Sequence, residues 1–369
     1  MTLVALQAVA GTLCAPPIYA IVRARAGIST ARLAALVVWL YPPLAGLAFG
    51  DVHENGFAPA AVAWALYAFD AGRLGWAALF AMLTLAVKED QAVFVAFAGV
   101  CGALAYRHDR RRLWFCVGVV TASVTVALTF FLAIQPHANA NPAWQPARFF
   151  AWTADDWRTL VPRGIFERLG FLVLILAPLA FVPLRTRFML LAVPPLLEVL
   201  ASRMSTTFTL GSHYAGAWLG YLFVAFAAGI SGLAERGRAQ VALYAALALC
   251  VVELLVANPL HPAINLRRIE PRDRILDSAL RELPRDASVA TQEEAYTHLA
   301  LDDPFARLLP EDAGLETHAC LILIDRDFPD SPRLQEYGGR LIELATTGRY
   351  VAVMRDGGIE IYRRIAPCE

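Results

Sequence analysis

The sequence predicts an α-helical polytopic membrane protein of about ten spans with a small C-terminal α/β domain. Of its 369 residues, 58% are apolar and 17% charged, and the mean hydropathy is +0.51, far from a soluble-domain average. Apolar runs near twenty residues recur to about residue 258, each long enough to cross a bilayer. Beyond residue 259 the composition becomes ordinary, with Asp, Pro and Gly interrupting the apolar runs. The division is therefore 1–258, transmembrane, and 259–369, α/β.

Spans are expected at about 3–22, 30–49, 57–72, 74–88, 90–106, 113–134, 166–184, 188–202, 213–233 and 239–258. The loops between them alternate in sign. One set holds Arg23, Arg25 and Arg32; Arg73; Arg107 and Arg110 to Arg112; Arg185 and Arg187; Arg236 and Arg238. The opposite set holds Asp51, His53, Glu54, Glu89, Asp90, Asp155, Asp156 and Glu198. Basic loops stay in the cytoplasm, so the N-terminus and the C-terminal domain are expected outside a prokaryotic cytoplasmic membrane. The first segment has neither a basic start nor an Ala-x-Ala cleavage site, so no signal peptide is expected. Three spans carry Pro16-Pro17, Pro42-Pro43 and Pro194-Pro195, which bend a membrane helix and free backbone groups that neighbours must satisfy.

Residues 135–165 form the longest outer loop. Their density of Trp and Phe suits the headgroup level and an interfacial helix. In the C-terminal domain, apolar runs at 287–292, 319–325, 350–355 and 358–363 read as strands, the last two joined at Asp356-Gly357-Gly358 as a hairpin. Helices are expected near 271–283, 294–301 and 332–347. The 32 basic and 32 acidic residues cancel, which argues against a nucleic-acid partner. The six cysteines show no metal-ligand spacing. Cys320 and Cys368 share the outer domain and can pair there if it is extracytoplasmic.

The chain has 31 arginines and one lysine, Lys88, in the run Lys88-Glu89-Asp90. A compact, titratable ammonium is not equivalent to a planar guanidinium at a tight polar site. Lys88, Glu89 and Asp90 share the outer side with Asp51, His53, Glu54, His137, Arg163, Glu198, Arg203, His213 and Tyr214. Ionisable groups at a membrane boundary are costly to bury and mark a substrate or a partner. Acids beside a lysine or histidine supply a general base and a phosphate anchor, and Asp51, His53, Glu54 and Asp90 have the chemistry to hold a divalent cation, though no spacing demands a metal. Plainer roles stay open: Lys88 as a staple to Glu54 or Asp90, His53 as a cap on the third span, His213-Tyr214 as an interface anchor. Glu198 is expected to pair with Arg203 or Arg163.

His53-Glu54-x-x-Phe57-x-Pro59 followed by Lys88-Glu89-Asp90 resembles an uncharacterised prokaryotic membrane-protein family related to the GT-C glycosyltransferases. The segment from Phe171 to Glu198, Ser212-His213-Tyr214 and the strands around Ser288-Val289 and Leu323-Ile324-Asp325 fit the same pattern. The resemblance implies transfer of a sugar from a polyprenyl-phosphate donor at the outer face, by inversion, with membrane lipid and lipid-linked sugar as partners. It makes Asp51, His53 and Glu54 candidate catalytic residues, and Lys88, Arg163, Arg203 and His213 candidate donor-phosphate ligands. Glu89, Asp90, Glu198 and Tyr214 support them. The departure is at the start: GT-C enzymes show a catalytic aspartate after a first outward span, and no acidic residue precedes Asp51. The chain reads as the pattern entered at its second span, so an upstream segment or a lost base is expected. A non-catalytic binder of lipid-linked glycan or an envelope-assembly protein is the alternative, and a transporter the third. Transporter sites sit at the midplane between paired repeats, whereas these charges lie at one edge and no repeat is visible.

Overall fold

The computed structural model describes residues 2–49, 52–138, 154–203, 205–257, 259, 271–284, 286–299, 305–309, 318–326 and 348–367. The chain divides into two compact units, Met1–Asn265 and Leu266–Glu369.

The first unit is helical. Its first helix, α1 (Thr2–Thr12), leads into α2 (Ala15–Trp39), which is interrupted at Gly27, where φ is +82° and ψ 172°. Glycine takes that left-handed φ without the clash a Cβ would bring. The chain reverses there. Trp39 Nε1 donates to Thr12 O at 3.1 Å, and Gln7 Nε2 donates to Leu47 O at 2.7 Å in α3 (Pro42–Phe49). The connection expected between the first two spans is thus a tight helical hairpin, with Arg23, Arg25 and Arg32 on its flanking turns.

Next come α4 (Ala58–Asp70), α5 (Leu74–Leu85), α6 (Gln91–Ala105) and α7 (Arg110–Thr129). Asp109 caps α7, its Oδ1 accepting from the backbone N–H groups of Arg111 and Arg112 at 3.1 and 3.2 Å. Such a cap satisfies donors that have no partner inside the helix. The helix continues through a π turn, Phe130–Ile134, to Ala138. The loop expected at 135–165 lies partly outside the described residues, and α8 (Ala154–Leu176) begins within it.

Two expected spans differ in form. The span at 166–184 and the span at 188–202 are joined by short 3-10 pieces, Ala177–Leu179, Val182–Arg185 and Arg187–Ala192, before α9 (Val193–Ala201). Pro178 and Pro183 remove backbone donors from any continuous helix, and Ala180 and Phe181 take positive φ values of 49° and 54°.

The unit closes with α10 (Ala215–Ala234) and α11 (Ala239–Val256). Among the described residues, four helical stretches are long and apolar enough to cross a membrane: Leu3–Trp39, Arg110–His137, Ala215–Ala234 and Ala239–Val256. Helices α5 and α6 are shorter but equally apolar. They differ in surroundings. Most of α10 is buried, with Trp218, Tyr221, Phe223 and Phe226 among the largest enclosed side chains, while α7 leaves Trp114 and Leu128 exposed. A helix apolar on all sides belongs either inside a bundle or in lipid, and these two take the two roles. Glycine lets α10 approach α4 closely, since a Cβ at Gly220 would sit 2.7 Å from Pro59 O.

In the second unit, the strands β1 (Val289–Thr291), β2 (Ala306–Leu308), β3 (Leu321–Asp325), β4 (Tyr350–Asp356) and β5 (Ile359–Arg364) form a sheet of order β2-β1-β3-β5-β4. Strand β1 runs parallel to β2 and β3, and β5 antiparallel to β3 and β4. Ala290, Ile322, Ile324 and Tyr362 pack on one face. Val289, Leu321, Leu323 and Ile361 pack on the other, with α12 (Pro271–Glu282) and α13 (Glu293–Leu299). Burial on both faces explains the unbroken Leu321-Ile322-Leu323-Ile324 run. The expected hairpin is present, with φ of 51° at Gly357 and 82° at Gly358, the pair of positive values a two-residue turn of matching twist requires. The helix expected at 332–347 lies outside the described residues.

At the end of β3, Asp325 pairs with Arg272 at 3.0 Å. Beside it, Arg326 Nε meets Glu360 Oε1 at 2.9 Å. Burial pushes the Glu360 carboxyl up, but hydrogen bonds from Arg326 and Tyr362 and the charges of Arg326 and Arg355 outweigh it and hold it below the usual glutamate range. Cys320 is disulfide-bonded, and Cys368 lies outside the described residues.

Candidate functional site

The turn between α5 and α6 presents Lys88, Glu89 and Asp90. Lys88 Nζ lies 3.2 Å from Asp90 Oδ2, with the two side chains 19% and 12% exposed. The same ammonium sits 5.3 Å from the ring centroid of Tyr214, just before α10, a cation–π arrangement. Glu198 comes from α9, and its carboxyl lies near Asp90, Lys88 and Glu89, close enough for their charges to bear on it. Glu198 was expected to pair with an arginine; among the described groups its neighbours are Asp90, Lys88 and Glu89. The side chain of Arg163, on α8, lies outside the described residues, and Arg203 is exposed beyond the end of α9.

The cluster thus has three carboxylates and one ammonium. Gln91 Nε2 donates to Asp90 Oδ1 at 3.4 Å. Two wholly buried groups beside it, Gln91 Oε1 and the Tyr221 hydroxyl, find no hydrogen-bond partner, and the charge of Asp90 reaches Tyr221. Buried polar groups are nearly always paired in native proteins, and of these two residues Tyr221 also lines an apolar cavity.

His53 and His213 stack with ring centroids 3.6 Å apart and planes 23° apart, and His213 lies 4.2 Å from Tyr214. His53 precedes the short 3-10 helix Glu54–Phe57, but its side chain makes no capping bond. In place of the cap that was one open reading for this residue, a ring stack ties the start of α4 to the start of α10. Glu54 is exposed in the same turn. His137 bonds Ala133 O of its own helix at 2.7 Å. Asp51 lies outside the described residues. Among those described, no three His, Cys, Asp or Glu side chains converge to hold a metal ion.

Two positioning residues were not anticipated. Gln7 donates to Leu47 O and accepts from the backbone N–H of His53 at 2.9 Å, fixing the histidine against α1. Arg168 on α8 donates to Leu200 O and Ser202 O, both at 2.6 Å, and stacks 4.6 Å over Phe208. It satisfies the carbonyl end of α9, which carries Glu198. An arginine inside the apolar run at 166–184 was the available signal.

Beneath the cluster, a cavity of about 670 Å³ runs between α4, α5, α6, α7, the Arg187–Ala192 turn and α10. Its walls are chiefly apolar. Tyr221 stands at one end, and Arg25, Asp70, Arg187 and Glu235 at the other.

These features define a polytopic membrane protein with a polar cluster at one end of its helices. The family model described as "Predicted membrane protein (DUF2079)" matches residues 1–361, and the chain belongs to that family. Among solved structures it is similar to ArnT from Cupriavidus metallidurans, crystallised bound to undecaprenyl phosphate. Identity is 13% and the TM-score 0.49, over 98% of this chain and 84% of that one. No curated protein matches the chain.

Proposed function

We propose that this protein is a GT-C-type, glycosyltransferase-like membrane protein that takes a polyprenyl-phosphate-linked sugar at the outer face of the cytoplasmic membrane. The observation that carries the reading is the assembly of Lys88, Asp90, Glu198 and Tyr214 at one end of the helix bundle from separate parts of the chain, beside the His53–His213 stack. A leaving phosphate needs positive charge where negative charge develops, and Lys88 is the cation available at the cluster. An acceptor hydroxyl needs a carboxylate within hydrogen-bonding reach, a role for Asp90 or Glu198, with Glu54 and Asp51 on the adjoining loop. His213 and the arginines at 163 and 203 are secondary phosphate ligands. The disulfide at Cys320 supports an extracytoplasmic second unit, because disulfides persist in oxidising compartments; the arginine-bearing loops then lie inside.

A second reading, binding of a lipid-linked glycan without catalysis, is favoured by the excess of carboxylates around Lys88. The test is titration of the purified full chain with polyprenyl phosphate and with the phosphate-free polyprenol. Lys88→Ala is expected to weaken binding of the phosphate form about tenfold while folded yield stays near that of the unmodified chain. A collapse in yield with unchanged affinity would make Lys88 a helix staple and remove the support. Tight binding without sugar transfer from any polyprenyl-phosphate donor would favour the binder.

A further inference from the structure

The far mouth of the apolar cavity presents a cation and a carboxylate that are not spent on each other. Arg25 and Asp70 form an ion pair there at 2.6 Å. Arg187 and Glu235 line the same mouth and are both exposed. Among the described residues neither has an ion-pair partner within 4.0 Å, and Arg187 only lies 5.9 Å from the Phe188 ring centroid. From Glu235 the cavity follows α10 back to Tyr221, fourteen residues along the helix, or about 21 Å at 1.5 Å per residue. That exceeds one leaflet of a ~30 Å hydrocarbon core. An apolar cleft of this length, with one unspent charge of each sign at its mouth, matches an amphiphile with one long chain to bury and a zwitterionic head.

We propose that the cavity holds an acyl chain of a zwitterionic aminophospholipid from the leaflet on the arginine-bearing face, its phosphate at Arg187 and its primary ammonium at Glu235. An anionic headgroup gains from Arg187 and loses at Glu235. A choline headgroup keeps the charge but has no N–H to donate to the carboxylate. A primary ammonium meets both groups. The walls admit the chain because small residues, Ala98 on α6 and Ala228 on α10 among them, face the space. The site differs in place and chemistry from the Lys88 cluster, since its polar groups stand at the opposite ends of α4 and α10.

The experiment is native mass spectrometry of the purified full chain, offered equal amounts of phosphatidylethanolamine, phosphatidylcholine and phosphatidylglycerol with identical acyl chains. Retention of the ethanolamine lipid is expected to exceed that of the choline lipid about two- to fivefold, the range of an exposed ion pair. Glu235→Gln should level the two, and Arg187→Gln should lower retention of all three. Ala228→Phe, which fills the cavity, should abolish retention whatever the headgroup; if that variant fails to fold, the two surface variants still decide. Equal retention of ethanolamine and choline lipids by the unmodified chain, or a preference that survives Glu235→Gln, overturns the proposal. So does polyprenyl phosphate that displaces the phospholipid in the unmodified chain but not in Lys88→Ala, because the cavity then belongs to the lipid whose head is at the other end.

Discussion

Breaking the Arg272–Asp325 pair should loosen the second unit from its central strand outwards. The two charges lie 3.0 Å apart, with the Asp325 side chain 2% exposed and that of Arg272 15%. At an effective dielectric near 20, unit charges at that distance attract by about 5.5 kcal/mol, and desolvation offsets much of this. Removing one partner is a different matter from removing both. Arg272→Met takes this cation from a carboxylate that keeps its other contacts and should cost about 1–3 kcal/mol. Asp325→Asn should cost less, since the amide still hydrogen-bonds and the freed guanidinium sits nearer solvent. Replacing both residues by apolar ones of similar size should recover most of the loss. The assay is hydrogen–deuterium exchange on the full chain, reading the amides of β3 and β5. A loss under about 1 kcal/mol for Arg272→Met, or a larger loss for Asp325→Asn, would refute the reasoning, because it would mean that the carboxylate does not depend on that cation.

Two further outcomes are expected. Glu360 is held below its unfolded range, so its contribution to stability is fully present above the unfolded value of about 4.3 and disappears as pH falls through the lower folded value; normalised protection of β5 should drop over that interval, and Glu360→Gln should flatten the dependence. Gly220→Leu drives a side chain toward Pro59 O and Val62 and should destabilise the α4–α10 contact by about 1–3 kcal/mol; unchanged thermal stability in detergent would mean that the two helices separate without cost.

Much of the architecture was legible because hydropathy alone locates apolar helices, and α10 and α11 fall where the runs at 213–233 and 239–258 place them. The unbroken apolar run of β3 was equally plain. The irregular stretch from 177 to 192 was not: Pro178 and Pro183 are visible, but Ala180 and Phe181 have no preference for the left-handed region that would betray the break. Strand β2 was missed because Ala306-Arg307-Leu308 contains no β-branched residue and owes its pairing to β1. At the site, the Lys88–Asp90 pair was readable from adjacency. The company Glu198 keeps was not, since charge matching argues for an arginine, while the packing of α9 beside α6 places it against acids. The histidine stack depends on two loops more than 150 residues apart, which no local pattern announces.

The central position of α10 sets the order in which the membrane unit is completed during synthesis. Helix α4 ends at Asp70 and α10 at Ala234, 164 residues later. At roughly 5–20 residues per second, α4 waits about 8 to 33 s for the helix whose glycines receive it. During that interval Asn55, Pro59 and Val62 present to lipid or solvent a surface built for close backbone contact. The nascent chain therefore passes through a stage in which its early spans lack their central neighbour. An insertase or chaperone that shelters them until Ala234 emerges would act on a vacancy dictated by the order of the helices, and a ribosomal stall between Asp70 and Ala215 would prolong it.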